Sequence, residues 1–231
     1  MQQPHIYRLK GKVQHYAWGG YEALPQLLRQ SNEAKKPFAE YWLGAHPLHS
    51  ATVETADGDV PLATMIAQDP QTFLGERVLK HFSSFPFLLK VLDVRQMLSI
   101  QVHPDKASAE KAFKDENEKG IAPDAFNRNY KDDNHKPELM VALSDFWLLH
   151  GFKPEAELKE LLASEPDFHF LLQTFEAEGY EGLYRHVMTM PQADVNAVLQ
   201  PVMERMMPLY KNGELQKAHE DFWAARAVDT F

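Results

Sequence analysis

The sequence predicts a protein of the α+β class, with a mainly β part over residues 1–153 and a helical part over residues 154–231. Two observations predict this division. Before Pro154, apolar residues occur in short runs separated by turn-forming residues, which is typical of strands. After Pro154, they recur at intervals of three and four residues, which is typical of amphipathic helices. With 231 residues, 44% of them hydrophobic, the chain is long enough to bury a sizeable core.

The predicted elements follow from composition and punctuation. Runs rich in Val, Ile, Leu, Phe and Trp predict strands at residues 51–54, 85–94, 99–103, 139–143 and 146–152. Good helix formers predict short helices at residues 20–29, 61–67 and 108–113 within the β part. In the helical part, leucines at positions 158, 161 and 162 predict another helix.

One apolar stripe shows the helical period clearly. It consists of Val195, Val198, Leu199, Val202 and Met206, at the spacing i, i+3, i+4, i+7 and i+11. This helix is expected to end before Pro208, because proline disfavours helical backbone in the residue that precedes it. A second stripe begins at Leu215 and continues almost to Phe231. Because the helical pattern runs so close to that residue, we expect the chain to be part of a longer protein.

Composition excludes several classes of function. Lys and Arg number 24 against 33 Asp and Glu, a formal net charge of −9, so we expect no nucleic-acid partner. The absence of cysteine excludes disulfides, a thiolate zinc site and a cysteine nucleophile. No stretch approaches the roughly 20 apolar residues of a membrane helix, and no signal-peptide core is present. We therefore expect a cytoplasmic protein without a membrane partner.

Gln101 and His103 are the first candidates for a metal site. In a strand over residues 99–103, alternate side chains face the same side of the sheet. Gln101 and His103 would then point into one space, with Ile100 and Val102 on the other face. Two polar side chains of ligand type placed in this way form half of a metal site. The alternative is a surface strand whose polar face is hydrated.

Glu138 is the third candidate ligand. Pro137 favours extended backbone at Lys136, so the polar turn over residues 130–137 is expected to end there and a strand to begin at Glu138. The carboxylate would then lie at the rim of a sheet. His135 and Lys136 could add a base and a cation beside it. The alternative is a polar turn whose charges are in solvent.

Together, Gln101, His103 and Glu138 offer one imidazole nitrogen and two oxygens. This donor set suits a borderline or hard divalent cation, zinc included. Three protein ligands and a water would form an open catalytic site. A further histidine ligand is expected, and the pattern leaves open which one it is: His15, His46, His49, His135 or His150.

Two segments place aromatic residues beside glycine. They are residues 16–19, Tyr-Ala-Trp-Gly, and residues 41–46, Tyr-Trp-Leu-Gly-Ala-His. An aromatic face packs well against the C–H side of a pyranose ring, so Trp18 is a candidate wall of a sugar site. Core packing at the ends of strands is the alternative. Neither Gly-rich phosphate-binding motif, GxxxxGK[ST] or GxGxxG, occurs.

Residues 130–138, Tyr-Lys-Asp-Asp-Asn-His-Lys-Pro-Glu, resemble the signature Y-x-D-x-N-H-K-P-E of the type I phosphomannose isomerases, with every fixed position present. Residues 101–106, Gln-Val-His-Pro-Asp-Lys, resemble the first metal motif of the same family. Residues 16–19 and 41–46 are similar to its N-terminal region. The resemblance extends from about residue 4 to residue 228.

The resemblance implies a zinc-dependent aldose–ketose isomerase that interconverts mannose 6-phosphate and fructose 6-phosphate. It implies a cupin-type β-sandwich or barrel, incomplete in this chain, together with a helical domain. One zinc ion would be held by Gln101, His103 and Glu138. The fourth ligand, a histidine, and an active-site arginine would belong to a part of the family's length that follows residue 231.

The implied reaction moves a proton between C1 and C2 of the sugar through a cis-enediol. Lys136 and His135 are the candidate catalytic residues, and the sequence leaves open which of them is the base. Lys90 and Ser99 are candidates for binding the phosphate, and Trp18 for the sugar.

Two rival functions are consistent with parts of the sequence. A cupin dioxygenase would use two histidines and a carboxylate to bind iron, but Gln101 stands where that triad requires histidine. A non-catalytic fragment would bind metal or sugar phosphate and be completed by a partner chain. Such a fragment is expected to self-associate through exposed sheet edges.

Overall fold

A computed structural model of the chain describes residues 6–82, 84–98, 101–146 and 148–215. Two three-stranded antiparallel sheets are combined with several helices, so the predicted α+β class is confirmed. The chain divides into two compact units, one formed by residues 1–98 and 200–231 and the other by residues 99–199. The domain division predicted at Pro154 stays a prediction.

The strands of the described chain lie in the first unit. In chain order they are β1 (Arg8–Lys10), β2 (Lys12–Gln14), β3 (Glu40–Leu43), β4 (Thr52–Thr55), β5 (Gly58–Pro61) and β6 (Leu89–Leu92). One sheet has the order β1-β4-β5 and the other the order β2-β3-β6. The register of the second sheet pairs Trp42 with Lys90. Since side chains alternate along a strand, Glu40, Trp42 and Lys90 share one face.

Within the described residues, three helices lie wholly in the first unit. They are α1 (Ala23–Leu28), α2 (Leu62–Gln68) and α3 (Pro70–Phe82). Helix α2 follows β5 directly and packs against it. Leu24 and Val53 are each only 1% exposed, and Met65 and Ile66 of α2 are also buried. Burying a side chain of this size contributes about 1.5–3 kcal/mol to folding.

The second unit is helical. It contains α4 (Lys106–Glu118), α5 (Glu155–Ser164), a short 3-10 turn (Pro166–Phe168) and α6 (His169–Thr189), and α7 (Gln192–Lys211) continues from it into the first unit. Leu162, Phe175 and Leu183 form a buried cluster between α5 and α6. Gly179 has a φ of 65°, a conformation that glycine adopts readily, and it interrupts α6. As far as the chain is described, no helix combines the length and apolarity needed to cross a bilayer.

Several predicted elements are confirmed with shifted ends. The strands predicted at residues 51–54 and 85–94 correspond to β4 and β6, and the four short helices correspond to α1, α2, α4 and α5. The strands β1, β2, β3 and β5 were not predicted from the sequence. The sequence analysis also missed α3 and α6, in each of which a glycine interrupts the helix.

Three predicted strands are wrong over their described residues. Residues 101–103, 139–143 and 148–152 contain no strand, and none begins at Glu138. A strand is stable only beside a hydrogen-bonded neighbour, and in the described parts of these segments only Leu148 takes part in a β-bridge, an isolated one. Leu139, Val141 and Leu143 are accordingly 93%, 73% and 91% exposed.

The predicted end of the last described helix is also wrong. The five stripe residues of α7 are half-buried, as the pattern predicts, but the helix includes both Pro201 and Pro208. Each proline removes one backbone donor. Bonding resumes beyond it, and the Asn212 backbone N–H donates to the Pro208 carbonyl at 3.0 Å. The second predicted stripe lies, except for Leu215, outside the described residues.

Candidate metal site

Helix α4 lies between the two candidate motifs in the chain, residues 101–105 and residues 130–138. Residues 101–105 lead into its first turn, and residues 128–138 follow it in the chain. Asp105 caps the helix, because its Oδ1 accepts a hydrogen bond of 2.7 Å from the Ser108 backbone N–H. The same hydrogen bond lowers the pKa of Asp105, which favours the charged form of the cap. His103 therefore lies two residues before the N-cap of a well-defined helix.

Arg128 ties the beginning of the signature segment to the far end of α4. Its side chain is fully buried. The guanidinium donates from Nε to the Tyr130 carbonyl at 2.6 Å, from Nη1 to the Ile121 carbonyl at 2.6 Å and from Nη2 to Asn117 Oδ1 at 2.9 Å. It also lies over the ring of Phe113, 4.9 Å from the ring centroid. A rigid fork of donors suits this set of fixed acceptors.

Glu116 balances the buried charge of Arg128. Its Oε2 lies 3.0 Å from Arg128 Nε and accepts a hydrogen bond of 2.8 Å from the Tyr130 backbone N–H. Its Oε1 accepts from both the backbone and the side-chain nitrogen of Asn129, at 3.1 Å each. The Tyr130 N–H is the main cause, and the Asn129 donors and Arg128 are further causes, of a lowered pKa for the Glu116 carboxyl. The charged carboxylate thus holds the first residues of the signature.

This lowered pKa predicts a loss of stability in acid. Below the ordinary glutamate value of 4.5, the unfolded chain binds a proton at Glu116 more readily than the folded chain does. The contribution of Glu116 is therefore complete above that pH and is lost as the pH falls through the lowered pKa. Urea unfolding of the parent chain and of Glu116→Gln, at pH values on both sides of 4.5, measures how the free energy of unfolding depends on pH. We expect a steeper acid loss in the parent chain, and equal pH slopes would contradict the assignment.

Asp132 organises the centre of the signature segment. Its Oδ1 accepts hydrogen bonds from the Asn134 backbone N–H at 2.9 Å and from Lys136 Nζ at 2.8 Å. Lys136 Nζ also lies 3.3 Å from the Asn134 carbonyl oxygen. An aspartate that accepts from a backbone N–H two residues on forms an Asx turn. This turn directs the following residues, through Pro137, toward Glu138.

His103 and Glu138 meet next to α4. The His103 Nε2 atom lies 3.9 Å from Glu138 Oε2, and the two side chains are 32% and 43% exposed. Both are thus partly sheltered and still accessible from solvent. Of the three predicted ligands, the structure brings together this pair. Gln101 is exposed, two residues before His103, and lies outside helices and strands.

The geometry of this pair fits a zinc ion. Zinc binds histidine nitrogen and carboxylate oxygen at about 2.0–2.2 Å, so two ligands of a tetrahedral site lie roughly 3.4 Å apart. A separation of 3.9 Å between Nε2 and Oε2 is close to that value. Within the described residues, no group of three His, Asp or Glu side chains could hold a metal ion. The third donor of the predicted set is an amide, Gln101.

Lys136 and His135, the two candidate catalytic residues, lie on the same turn. Lys136 is ion-paired with Asp132 and about half exposed. His135 is exposed between Asn134 and Lys136. Both therefore precede Glu138 by no more than three residues, and both are accessible to a substrate.

The substrate candidates Trp18 and Lys90 belong to the first unit. Trp18 is half-buried and stacks on Tyr16, with ring centroids 5.7 Å apart. Gly19 follows it because the chain passes Ala39 closely: an added Cβ at Gly19 would lie 2.6 Å from the Ala39 Cα. Ser99 lies outside the described residues.

Lys90 belongs to a polar group on sheet β2-β3-β6. Its Nζ lies 3.9 Å from Glu40 Oε2 and 5.5 Å from the centroid of the Trp42 ring. Trp42 Nε1 donates to the same carboxylate of Glu40, which is buried. Sequence reasoning singled out residues 41–46, which include Trp42, but missed Glu40 and the Arg128–Glu116 pair. The alternation of Glu40 and Trp42 along residues 40–43 was the available signal for Glu40.

Comparison with known proteins gives one consistent result. Residues 6–155 match the family model for the catalytic domain of phosphomannose isomerase type I. The chain is 44% identical over 188 residues to the mannose-6-phosphate isomerase of Escherichia coli (strain K12), covering 79% of this chain and 48% of that protein. It is 33% identical over 222 residues to the one from Candida albicans, covering 90% of this chain and again 48% of the relative. The chain thus spans about half the length of these relatives.

Solved structures agree with the sequence comparison. A zinc-bound mannose 6-phosphate isomerase superposes with a TM-score of 0.70 at 37% identity, over 86% of this chain and 52% of that one. The Salmonella typhimurium enzyme, bound to its substrate and a zinc atom, gives a TM-score of 0.71 at 36% identity, over 87% of this chain and 53% of that one. This likeness confirms the predicted cupin-type class.

Proposed function

The chain belongs to the type I phosphomannose isomerase family, and from this premise we propose that it carries the zinc-binding part of an enzyme that interconverts mannose 6-phosphate and fructose 6-phosphate. The approach of His103 and Glu138 to 3.9 Å is the observation that carries this proposal. It joins two motifs that are well separated in the chain into one pair of zinc-type donors. Relatives of known structure contain zinc, and one of them also contains its substrate, which supports the same assignment.

In this proposal, Gln101, His103 and Glu138 hold one zinc ion. When bound, zinc supplies a Lewis acid that stabilises negative charge developing on sugar oxygens. The donor set of one imidazole and two oxygens leaves room for oxygen ligands from a substrate. An amide in place of a second histidine argues against the iron site of an oxygenase.

Proton transfer is assigned to the turn that precedes Glu138. Isomerisation moves a proton between C1 and C2 through a cis-enediol, so it requires a base and a cation near the sugar oxygens. Lys136, ion-paired with Asp132, is a cation whose remaining N–H group can donate to those oxygens. His135 beside it is our candidate base, because imidazole is the usual proton acceptor at neutral pH.

Binding of the sugar phosphate is assigned to the first unit and the segment that follows it. Lys90 is proposed to attract the phosphate, together with Ser99, and Trp18 to pack against the sugar.

We also propose a cytoplasmic location for the protein. The exposed run at Leu139–Leu143 supports the further proposal that the isolated chain self-associates, because exposed apolar runs favour association.

A second candidate function is zinc-dependent binding of the sugar phosphate without turnover. The observation that favours it is that, of the three predicted ligands, the structure brings together His103 and Glu138 but leaves Gln101 exposed. The two functions share the site at His103 and Glu138 and differ in whether the chain alone converts the substrate.

One experiment tests both functions. The purified chain, with zinc added, is assayed for isomerisation of mannose 6-phosphate and, by calorimetry, for its binding. We expect the chain to bind mannose 6-phosphate in a zinc-dependent way. His103→Ala should abolish this binding, and His81→Ala, which changes an exposed histidine of α3, should leave it intact. Turnover above the His103→Ala blank establishes the enzyme, and binding without turnover establishes the second function. If neither binding nor turnover depends on His103, both are wrong.

A further inference from the structure

Lys106 connects the two arms of the candidate metal site. It is the first residue of α4, three residues after His103, and its side chain crosses to the signature turn. Lys106 Nζ donates to the Asp133 carbonyl at 3.0 Å and to Asn134 Oδ1 at 3.1 Å. It lies 3.1 Å from Glu110 Oε1 on its own helix. These acceptors match the three N–H bonds of an ammonium group.

The position of Lys106 in its helix is unfavourable for the helix itself. The N-terminus of an α-helix carries a partial positive charge, so a cation in the first turn is disfavoured. The ion pair with Glu110, one turn on, offsets part of this repulsion. Capping is already supplied by Asp105. The hydrogen bonds to residues 133 and 134 are therefore the interactions that explain a lysine at this position.

Those bonds act on the geometry of the site. Asn134 and Lys136 are both bound by Asp132, so the turn held by Lys106 is the one that leads to Glu138. The Arg128–Glu116 anchor also ties the signature segment to α4, but at the far end of the helix. The Lys106 ammonium group, in contrast, links the turn before Glu138 to the end of α4 from which the His103 arm extends.

We propose that Lys106 is a positioning residue for the metal site, which sets the separation of His103 and Glu138 by holding the signature turn against the start of α4. The inference rests on the proposed function, because it assumes that this pair binds zinc. Lys106 itself does not contact the metal or the substrate in this assignment.

Zinc affinity, measured by competition with a chromophoric chelator, tests the inference. In Lys106→Met, which keeps the alkyl chain and removes the donors, we expect roughly 10- to 100-fold weaker zinc binding, the usual effect of losing a group that orients a ligand. Lys106→Arg should recover much of the loss. Lys111→Met removes an exposed i,i+4 ion pair with Asp115 on the same helix and should leave the affinity unchanged.

Two further measurements separate positioning from folding and from the proposed site. Thermal unfolding of Lys106→Met without zinc should match that of the parent chain, because removing an unfavourable cation from the helix N-terminus offsets the loss of its hydrogen bonds. A lower unfolding temperature than that of the parent chain would indicate a merely structural role and would overturn the inference. If His103→Ala weakens zinc binding but Lys106→Met does not, the inference fails and the site stands. If His103→Ala leaves zinc binding unchanged, the proposed site itself fails.

Discussion

Replacing Arg128 with alanine is expected to lower the free energy of unfolding by about 3–5 kcal/mol, the range observed when one partner of a buried ion pair is removed. The substitution leaves the Glu116 carboxylate buried beside an empty space. It also leaves the carbonyl oxygens of Tyr130 and Ile121 without the donors that they have now. Loss of packing on the Phe113 ring adds to the cost.

The chain offers a matched control for this substitution. Arg185 is likewise ion-paired, in its case with both Glu178 and Glu181, but its side chain is 58% exposed. Exposed ion pairs contribute about 1 kcal/mol or less, so Arg185→Ala should unfold at nearly the urea concentration of the parent chain. Circular dichroism during urea unfolding measures both variants. Equal destabilisation of the two would show that burial of Arg128 is not the source of its effect.

Zinc binding should be lost when any of the three proposed ligands is removed. Changing a group that merely orients a ligand weakens metal binding by about 10- to 100-fold, so removal of a ligand itself should cost at least about 100-fold. We expect this for Gln101→Ala, His103→Ala and Glu138→Ala. Equilibrium dialysis followed by metal analysis gives the stoichiometry and affinity of each variant.

Controls of the same chemical type accompany these variants. His81→Ala and Glu118→Ala remove an exposed histidine and an exposed glutamate outside the proposed site, and both should retain the parent affinity. A result in which all three ligand variants keep stoichiometric zinc would falsify the assignment. If His103→Ala and Glu138→Ala lose zinc but Gln101→Ala keeps it, His103 and Glu138 remain the proposed ligands and Gln101 is not one.

Much of the helical structure could be predicted from the sequence. The stripe from Val195 to Met206 is half-buried on α7, and Leu158 and Leu162 pack in a buried cluster, whereas Leu161 is 41% exposed. These predictions succeed because helical hydrogen bonds are local and depend on residues three and four positions apart. The predicted end of α7 was wrong because each proline removes only one helical hydrogen bond, and the helix continues through two prolines.

The strands were predicted less well, for a physical reason. Residues 139–143 have the composition of a strand but pair with no other strand of the described chain, whereas β1 and β2 have little pattern and pair fully. A strand depends on a neighbour that is distant in sequence, so composition alone does not determine whether it forms.

By itself, the sequence determined the chemistry that this protein has available. Residue types and spacing identified Gln101, His103 and Glu138 as candidate ligands and pointed to the family, because donor identity is a property of each side chain. Only the tertiary structure decided which donors meet. The approach of His103 to Glu138, the buried Arg128–Glu116 anchor and the bridge from Lys106 to the signature turn all join residues that are far apart in the chain. Such contacts depend on how α4 is packed against the following segment, and no local pattern encodes them.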